Sequence, residues 1–316
     1  MKNHELAPIC LFTYNRLEET KKTVQALHLN NLAGSSELFV FSDGWRNNEA
    51  KKKVELVRTF LKTISGFKKV TIIESEINKG LAKSIIDGVS NMLNRYSRVI
   101  VLEDDLRTTP NFLDFMNQSL DFYENNRAIQ SVSGYSLKIR SKMVDSDVYF
   151  HHRAHSWSWA TWSNRWDDGI FDKQRLKNEL TKEALSSFKE TCGADISEML
   201  VNSINGVNDS WYVRWAYSHF KNNTYGVYPN YSKVENIGFT NEGTNCNGID
   251  VSLIELDKFY KKKFKFIDIV TIDKNINREF LIYFTKFYKF KYRLKLLKSL
   301  EGRKSLFFEI SRKFRK

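Results

Sequence analysis

Four short apolar runs, each separated from the next by enough chain for a helix, restrict residues 1–130 to very few folds. PICLF (Pro8–Phe12), LFVF (Leu38–Phe41), VTII (Val70–Ile73) and VIVL (Val99–Leu102) are rich in Val, Ile, Leu and Phe, with no polar alternation. That pattern belongs to strands buried on both faces. Between them the apolar spacing turns helical over Leu17–Leu29, Glu49–Ile64 and Leu81–Tyr96, the second carrying Val54, Val57, Phe60, Leu61 and Ile64. The order βαβαβαβ requires an α/β fold with a mostly parallel sheet and right-handed crossovers. A further helix is predicted over Asn111–Asn125, behind Pro110.

Past Arg127 the pattern loosens. AIQSVSGYSL reads as a strand and turn, and SDVYFHHRAHSWSWATWSNRWDD as an aromatic, loop-like stretch. Helices are predicted near Lys173–Lys189 and Trp211–Lys221, then turns and short strands through GVYPNYSKVENIGFTNEGTNCNG. A chain of 316 residues that is 41% hydrophobic, with only 3 Pro, has material for a substantial core and is not disordered. Cys10, Cys192 and Cys246 form no CxxC pair, which argues against a zinc ribbon or a disulfide framework and suits a reducing, cytoplasmic setting. The start, MKNHELAPICLF, lacks the apolar stretch of a secretory signal, and nothing approaches the roughly 20 apolar residues of a membrane span.

The net charge of +13 is unevenly distributed. Residues 258–316 hold 19 Lys and Arg against 5 Asp and Glu, which leaves 31 against 32 for the rest. The body is electrically ordinary, so its chemistry is not that of a nucleic-acid binder.

Open parallel sheets bind ligands where loops leave the carboxyl ends of their strands. Polar residues follow every predicted strand: Thr13, Tyr14, Asn15 and Arg16; Ser42, Asp43 and Gly44; Asn78, Lys79 and Gly80; Glu103, Asp104 and Asp105. Three consecutive carboxylates repel one another unless a cation intervenes. Hard divalent ions, Mn²⁺ or Mg²⁺, take such oxygen ligands and share their shell with phosphates. A solvated acidic turn before a helix would also account for the triplet, though less well at this place in the pattern.

VLEDDL followed by TTPNFLDFM resembles the metal-binding segment of GT-A glycosyltransferases, nearest to the N-acetylglucosaminyltransferase I type. FTYNR, SDG and NKGLAKS are similar to nucleotide-binding elements of the same fold in bacterial transferases that build surface polysaccharides. The resemblance covers residues 7–130 well, 150–245 more loosely, and the basic tail not at all. It implies a GT-A catalytic domain with a nucleotide-sugar half (1–130) and an acceptor half (131–252), while the change in charge balance near Ser252 sets off a basic amphipathic extension over 253–316. It further implies Asp105 as direct metal ligand, with Glu103 and Asp104 toward ribose, sugar or metal-bound water. Asp43 would take the base or ribose, Thr13 and Arg16 would line the base pocket, and Lys79, Lys83 or Arg16 would meet phosphate. A UDP-sugar is the favoured donor. An acidic residue in the second half serves as base in the similar inverting enzymes, which points to Asp209 in NDSWYVRWAY; a helix cap at Asp209 or Ser210 fits the same residues. Asp167 and Asp168 are weaker candidates.

Six tryptophans (Trp157, Trp159, Trp162, Trp166, Trp211, Trp215) fall in the second half, mostly as expected core, with one or two free to stack on an acceptor sugar. His151, His152 and His155 lack a paired motif and are expected in packing roles. GFTNEGTNC, where some GT-A enzymes place a late metal-ligating His, holds Asn245 and Cys246 instead, so a further protein ligand stays unassigned. FYKKKFKF and FLIYFTKFYKFKYRLKLLK interleave cations with Phe, Tyr and Leu, which suits either an anionic membrane surface or a helical subdomain with a basic face. Membrane contact would fit a peripheral position on the inner face of the plasma membrane and a glycan or lipid-linked acceptor. No nucleic-acid module accompanies the tail. The rival readings are a sugar nucleotidyltransferase, disfavoured because FTYNRLEET has no phosphate-loop glycine, and an inactive, membrane-associated scaffold for glycan assembly.

Overall fold

The computed structural model describes residues 5–238, 254–300, 302, 303, 306 and 307. β1 (Ile9–Thr13), β2 (Glu37–Ser42), β3 (Lys69–Glu74) and β4 (Arg98–Glu103) alternate with α1 (Leu17–His28), α2 (Asn48–Leu61) and α3 (Leu81–Leu93). β5 (Leu106–Thr108), α4 (Phe112–Phe122), β6 (Ile129–Ser133), β7 (Val148–His151) and β8 (Trp159–Trp162) follow. Then come α5 (Lys173–Glu179), α6 (Lys182–Cys192), α7 (Ile196–Ile204), α8 (Trp211–Lys221), β9 (Tyr225–Pro229), β10 (Val234–Asn236), α9 (Lys274–Ile282) and α10 (Lys286–Leu296).

One eight-stranded sheet has the order β3-β2-β1-β4-β8-β6-β9-β7, and β5 pairs with β10 beside it. β3, β2, β1 and β4 are parallel; β8 runs against β4 and β6, and β7 against β9. The sheet separates two cores. Ile9 and Leu11 of β1 and Ile100 and Leu102 of β4 face α1, α2 and α4. Cys10, Phe12, Val99 and Val101 face α3 and α5 to α8. An unbroken apolar run is what two covered faces demand.

The structure departs from the sequence reading in four places. β3 lies at the sheet edge, paired to β2 alone and half exposed, rather than buried on both faces. The aromatic stretch read as loop contains β7 and β8, all eight residues of which are buried. The helix predicted over Lys173–Lys189 is two: Leu180 is extended, and the Thr181 hydroxyl accepts from Ala184 N to start α6. The extension expected over 253–316 divides in burial. Phe280 and Ile276 of α9 are buried in the main core, Phe280 stacked on His151 at 3.8 Å, whereas α10 buries no residue. The Asp257 carboxylate is buried against Lys233 and accepts from Asn111 Nδ2 at 2.9 Å, fastening the start of the tail to the body. The boundary placed near Ser252 lies outside the described residues. Among them, no helix is long and apolar enough to cross a membrane.

Candidate functional site

Parallel register carries the first two strand ends and the carboxylates to one edge. Thr13 pairs with Ser42, and Phe12 with Glu103. The loops beyond them wall a single cleft that includes Thr13, Arg16, Asp43, Glu103, Asp104 and Asp105. Phe12 and Phe41 stack at 4.8 Å to form part of its apolar wall.

Asp104 and Asp105 are buried at 2% and 3% exposure, and both pair with the Arg16 guanidinium, Nη1 reaching Asp105 Oδ2 at 2.9 Å and Nη2 reaching Asp104. Asp104 also accepts from Tyr14 N at 3.2 Å, and its carbonyl from the Thr23 hydroxyl at 2.9 Å, so α1 clamps the turn. Burial works against the Arg16 charge, but Asp104 and Asp105 outweigh it and raise its pKa. One guanidinium does not satisfy three carboxylates. Asp105 Oδ1 is buried with no hydrogen-bond partner. Desolvation, then the charges of Asp105 and Asp104, push the Glu103 pKa up to about 8. Desolvation also drives Asp104 upward, against the pull of Arg16.

Asp43 is spent on its surroundings. Its carboxylate accepts from Gly44 N (2.9 Å), Lys79 N (2.8 Å), Gly80 N (2.9 Å) and Asn78 Nδ2 (3.1 Å), tying the NKG turn to the end of β2. It lines the cleft as the anchor of a loop more than as a free acceptor. Thr13 donates its hydroxyl to Phe41 O at 3.3 Å. Lys79 and Lys83, expected to meet phosphate, both pair their ammonium groups with Asp87, at 3.4 and 3.1 Å, and neither is among the residues lining the cleft. Arg46, passed over in the sequence reading, does line it, and its backbone N–H donates to the Tyr14 hydroxyl at 3.3 Å. Its signal was its place two residues past the SDG turn.

Asp209 lies elsewhere. It lines a separate groove with Lys173 and Arg214, pairing with them at 2.8 and 3.0 Å, and its side chain is 59% exposed. Ser210, not Asp209, caps α8 by accepting from Val213 N. Asp167 caps a turn by accepting from Gly169 N, and Asp168 accepts from the Ser90 hydroxyl. Trp159 stacks on Trp166 at 5.5 Å, and Trp215 packs tilted against both at 5.7 and 4.9 Å within the fold, the core role expected of most indoles. Trp157, partly buried, packs at the margin of the main core, edge-on to Tyr135 at 4.8 Å and to His155 at 5.3 Å. Ser158, between Trp157 and Trp159, has φ +58 and is buried, a strained conformation for a residue other than glycine. His151, His155 and His219 are neutral packing groups, burial holding each near a pKa of about 3.

A divalent ion suits this donor set. Asp105 lines the cleft and keeps one buried oxygen without a hydrogen-bond partner, and the single Arg16 guanidinium pairs with only two of the three carboxylates. Among the described residues no three His, Cys, Asp or Glu side chains converge as a complete protein shell. An ion here would therefore draw its remaining ligands from substrate phosphate and water, the usual habit of Mg²⁺. Asn245 and Cys246 lie outside the described residues.

No protein-family profile and no curated protein matches the chain. Solved structures give partial likenesses. A mannosyltransferase from Pyrobaculum calidifontis, in complex with GDP-Man and Mn²⁺, aligns at TM-score 0.37 and 12% identity over 56% of this chain and 47% of its own. TarS from S. aureus aligns at TM-score 0.33 and 10% identity, over 54% and 29%. A protein from Desulfovibrio desulfuricans G20 assigned as a nucleotide-diphospho-sugar transferase aligns at TM-score 0.32 and 10% identity, over 52% and 68%. The chain thus spans about half the length of the mannosyltransferase and under a third of TarS.

Proposed function

We propose that the chain is a metal-dependent glycosyltransferase of the GT-A type, taking a sugar from a nucleotide-activated donor. One observation carries this reading: the three carboxylates share a cleft with Asp43 at the carboxyl edge of a parallel sheet, and the buried Asp105 keeps one oxygen without a hydrogen-bond partner. Transfer forms a bond from an acceptor hydroxyl oxygen to the anomeric carbon and breaks the bond from that carbon to the diphosphate. The leaving diphosphate carries the new negative charge, and the cleft must hold it. Asp105 would ligate a divalent cation, whose charge offsets that of the diphosphate. Phe12, Phe41 and Leu81 supply apolar wall for a base, and the loop held by Asp43 shapes the wall beside them. Arg46 is the cleft cation with no carboxylate partner among the described residues. The inverting course of the resembling enzymes needs a base that reaches the acceptor, and Asp209 is tied to two cations in another groove.

The acceptor side of this reading rests on α10. At 100° per residue, Phe287, Phe290, Leu294 and Leu297 form one stripe, and all four are exposed. Lys286 and Arg293 flank it on one side, Lys291 and Lys295 on the other. Such a helix lies in an anionic bilayer surface, its cations each adding about 1 kcal/mol near the headgroups. A lipid-linked glycan at a cytoplasmic membrane face is the acceptor that suits this placement.

A thermal-shift screen of nucleotide sugars with Mn²⁺ tests the donor reading. Donor-specific stabilisation should appear in the wild type and vanish in Asp105→Ala. Equal shifts in both would overturn it. Co-sedimentation with phosphatidylserine vesicles, lost in Phe287→Ser/Phe290→Ser, tests the membrane reading; pelleting of both proteins alike would refute it.

A further inference from the structure

We propose that Arg16 is a resident cation which the metal displaces from Asp105, and that the freed guanidinium then binds the donor's diphosphate. This rests on the glycosyltransferase reading above and deepens it.

The two occupants want the same oxygens. Arg16 holds Asp105 Oδ2 at 2.9 Å and also Asp104, and both carboxylates are buried. A hard dication at Asp105 needs those lone pairs and repels a guanidinium at bonding distance. Arg16 leaves Asp105 Oδ1 without a hydrogen-bond partner, so its hold on that carboxylate is incomplete. Arg16 stands at the start of α1, where its backbone carbonyl accepts from Thr20 N at 3.0 Å and from the Thr20 hydroxyl at 2.6 Å. Its backbone stays put while its long side chain can turn. Its side chain is 14% exposed and lines the same cleft, so a short rotation keeps it within the donor's space. Planar, two-pronged donors match phosphate as well as carboxylate. Arg46 lines the cleft too, so a released Arg16 would give the diphosphate two guanidinium groups.

The exchange makes metal and donor mutually dependent. The metal frees the guanidinium for phosphate, and phosphate stabilises the state in which Asp105 is open to metal. By linkage each raises the other's affinity by the same factor.

The test measures Mn²⁺ binding from the free-ion EPR signal, with and without UDP, in wild type, Arg16→Gln and Arg16→Lys. The folded state of each is checked by circular dichroism. In wild type, UDP should tighten Mn²⁺ binding. Arg16→Gln should bind Mn²⁺ alone about ten- to a hundredfold tighter than wild type, the worth of one charge-assisted pair. It should also lose the UDP-induced gain. Arg16→Lys, which keeps the charge without bridging two carboxylates, should fall between, and it serves as the second variant where Arg16→Gln does not fold. A wild type that binds Mn²⁺ with UDP, beside folded variants whose Mn²⁺ affinity is unchanged or weaker, overturns the exchange and leaves the glycosyltransferase reading intact. No Mn²⁺ binding by wild type even with UDP overturns both.

Discussion

Replacing Gly238 by alanine should disable the cleft without unfolding the protein. A Cβ at Gly238 would sit 2.1 Å from Asp105 Oδ2 and 2.8 Å from Asp105 Cβ and Cγ. Ordinary contacts between heavy atoms lie near 3.5 Å, so the overlap exceeds about 1 Å. The backbone there resists movement: Ile237 N donates to Asp105 O at 2.8 Å, and Gly238 N to Asn236 Oδ1 at 2.7 Å. The Asp105 carboxylate must therefore swing, and it surrenders its bond to Arg16 Nη1. Loss of one charge-assisted bond costs about 1.5–3 kcal/mol of stability. Misplacement of a reacting group by about 1 Å costs roughly a hundredfold in turnover. The expected outcome is a modest fall in melting temperature, with UDP-dependent Mn²⁺ binding and donor turnover both down about a hundredfold. Calorimetric titration with Mn²⁺ and UDP, beside a thermal melt, reads both. Wild-type Mn²⁺ binding in Gly238→Ala would show that Asp105 is not the ligand.

Three further outcomes are expected. His151 and His219 are buried with pKa values lowered to about 3, so below pH 6.5 the unfolded chain binds up to two more protons than the folded one. Their contribution is intact above pH 6.5 and falls by about 3 kcal/mol per pH unit toward pH 3, so circular dichroism should show acid unfolding well above pH 3; a fold stable at pH 3.5 would contradict it. Gly44→Ala would bring a Cβ within 2.4–2.8 Å of the Ile77 and Asn78 backbone, forcing off the loop that Asp43 holds; stability should drop about 1–3 kcal/mol in urea melts and UDP affinity should fall with it. Asp209→Ala removes an exposed carboxylate outside the cleft, so turnover should stay within about twofold of wild type, a change of under 0.5 kcal/mol; a drop of several hundredfold would return the base role to it.

Local pattern carried far in the first half. The ends of β1, β2 and β4 were legible because a strand covered on both faces has no option but continuous apolar sequence, and because polar residues must begin where cover ends. The edge position of β3 was not legible: VTII differs from VIVL by a single threonine in apolar character, and only the strand order leaves one side of it without a partner. β7 and β8 were hidden for the opposite reason, since buried His151, Trp159 and Trp162 fill positions that a simple alternation would give to smaller apolar residues. Lys79 and Lys83 looked like phosphate ligands because proximity along the chain does not show which way a helix faces. Lys83 sits one turn before Asp87 on α3, and Lys79, in the loop just ahead of that helix, reaches the same carboxylate.

Residue order alone determined the α/β alternation, the carboxylate triplet at a strand end and the separation of the basic tail from a neutral body, since these depend on spacings of a few residues. Tertiary structure decided who neutralises the triplet. Arg16 lies 88 and 89 residues from its two partners, and no local rule links them. Closure of the sheet brings the start of α1 against the end of β4, and burial there makes the pairing strong enough to matter.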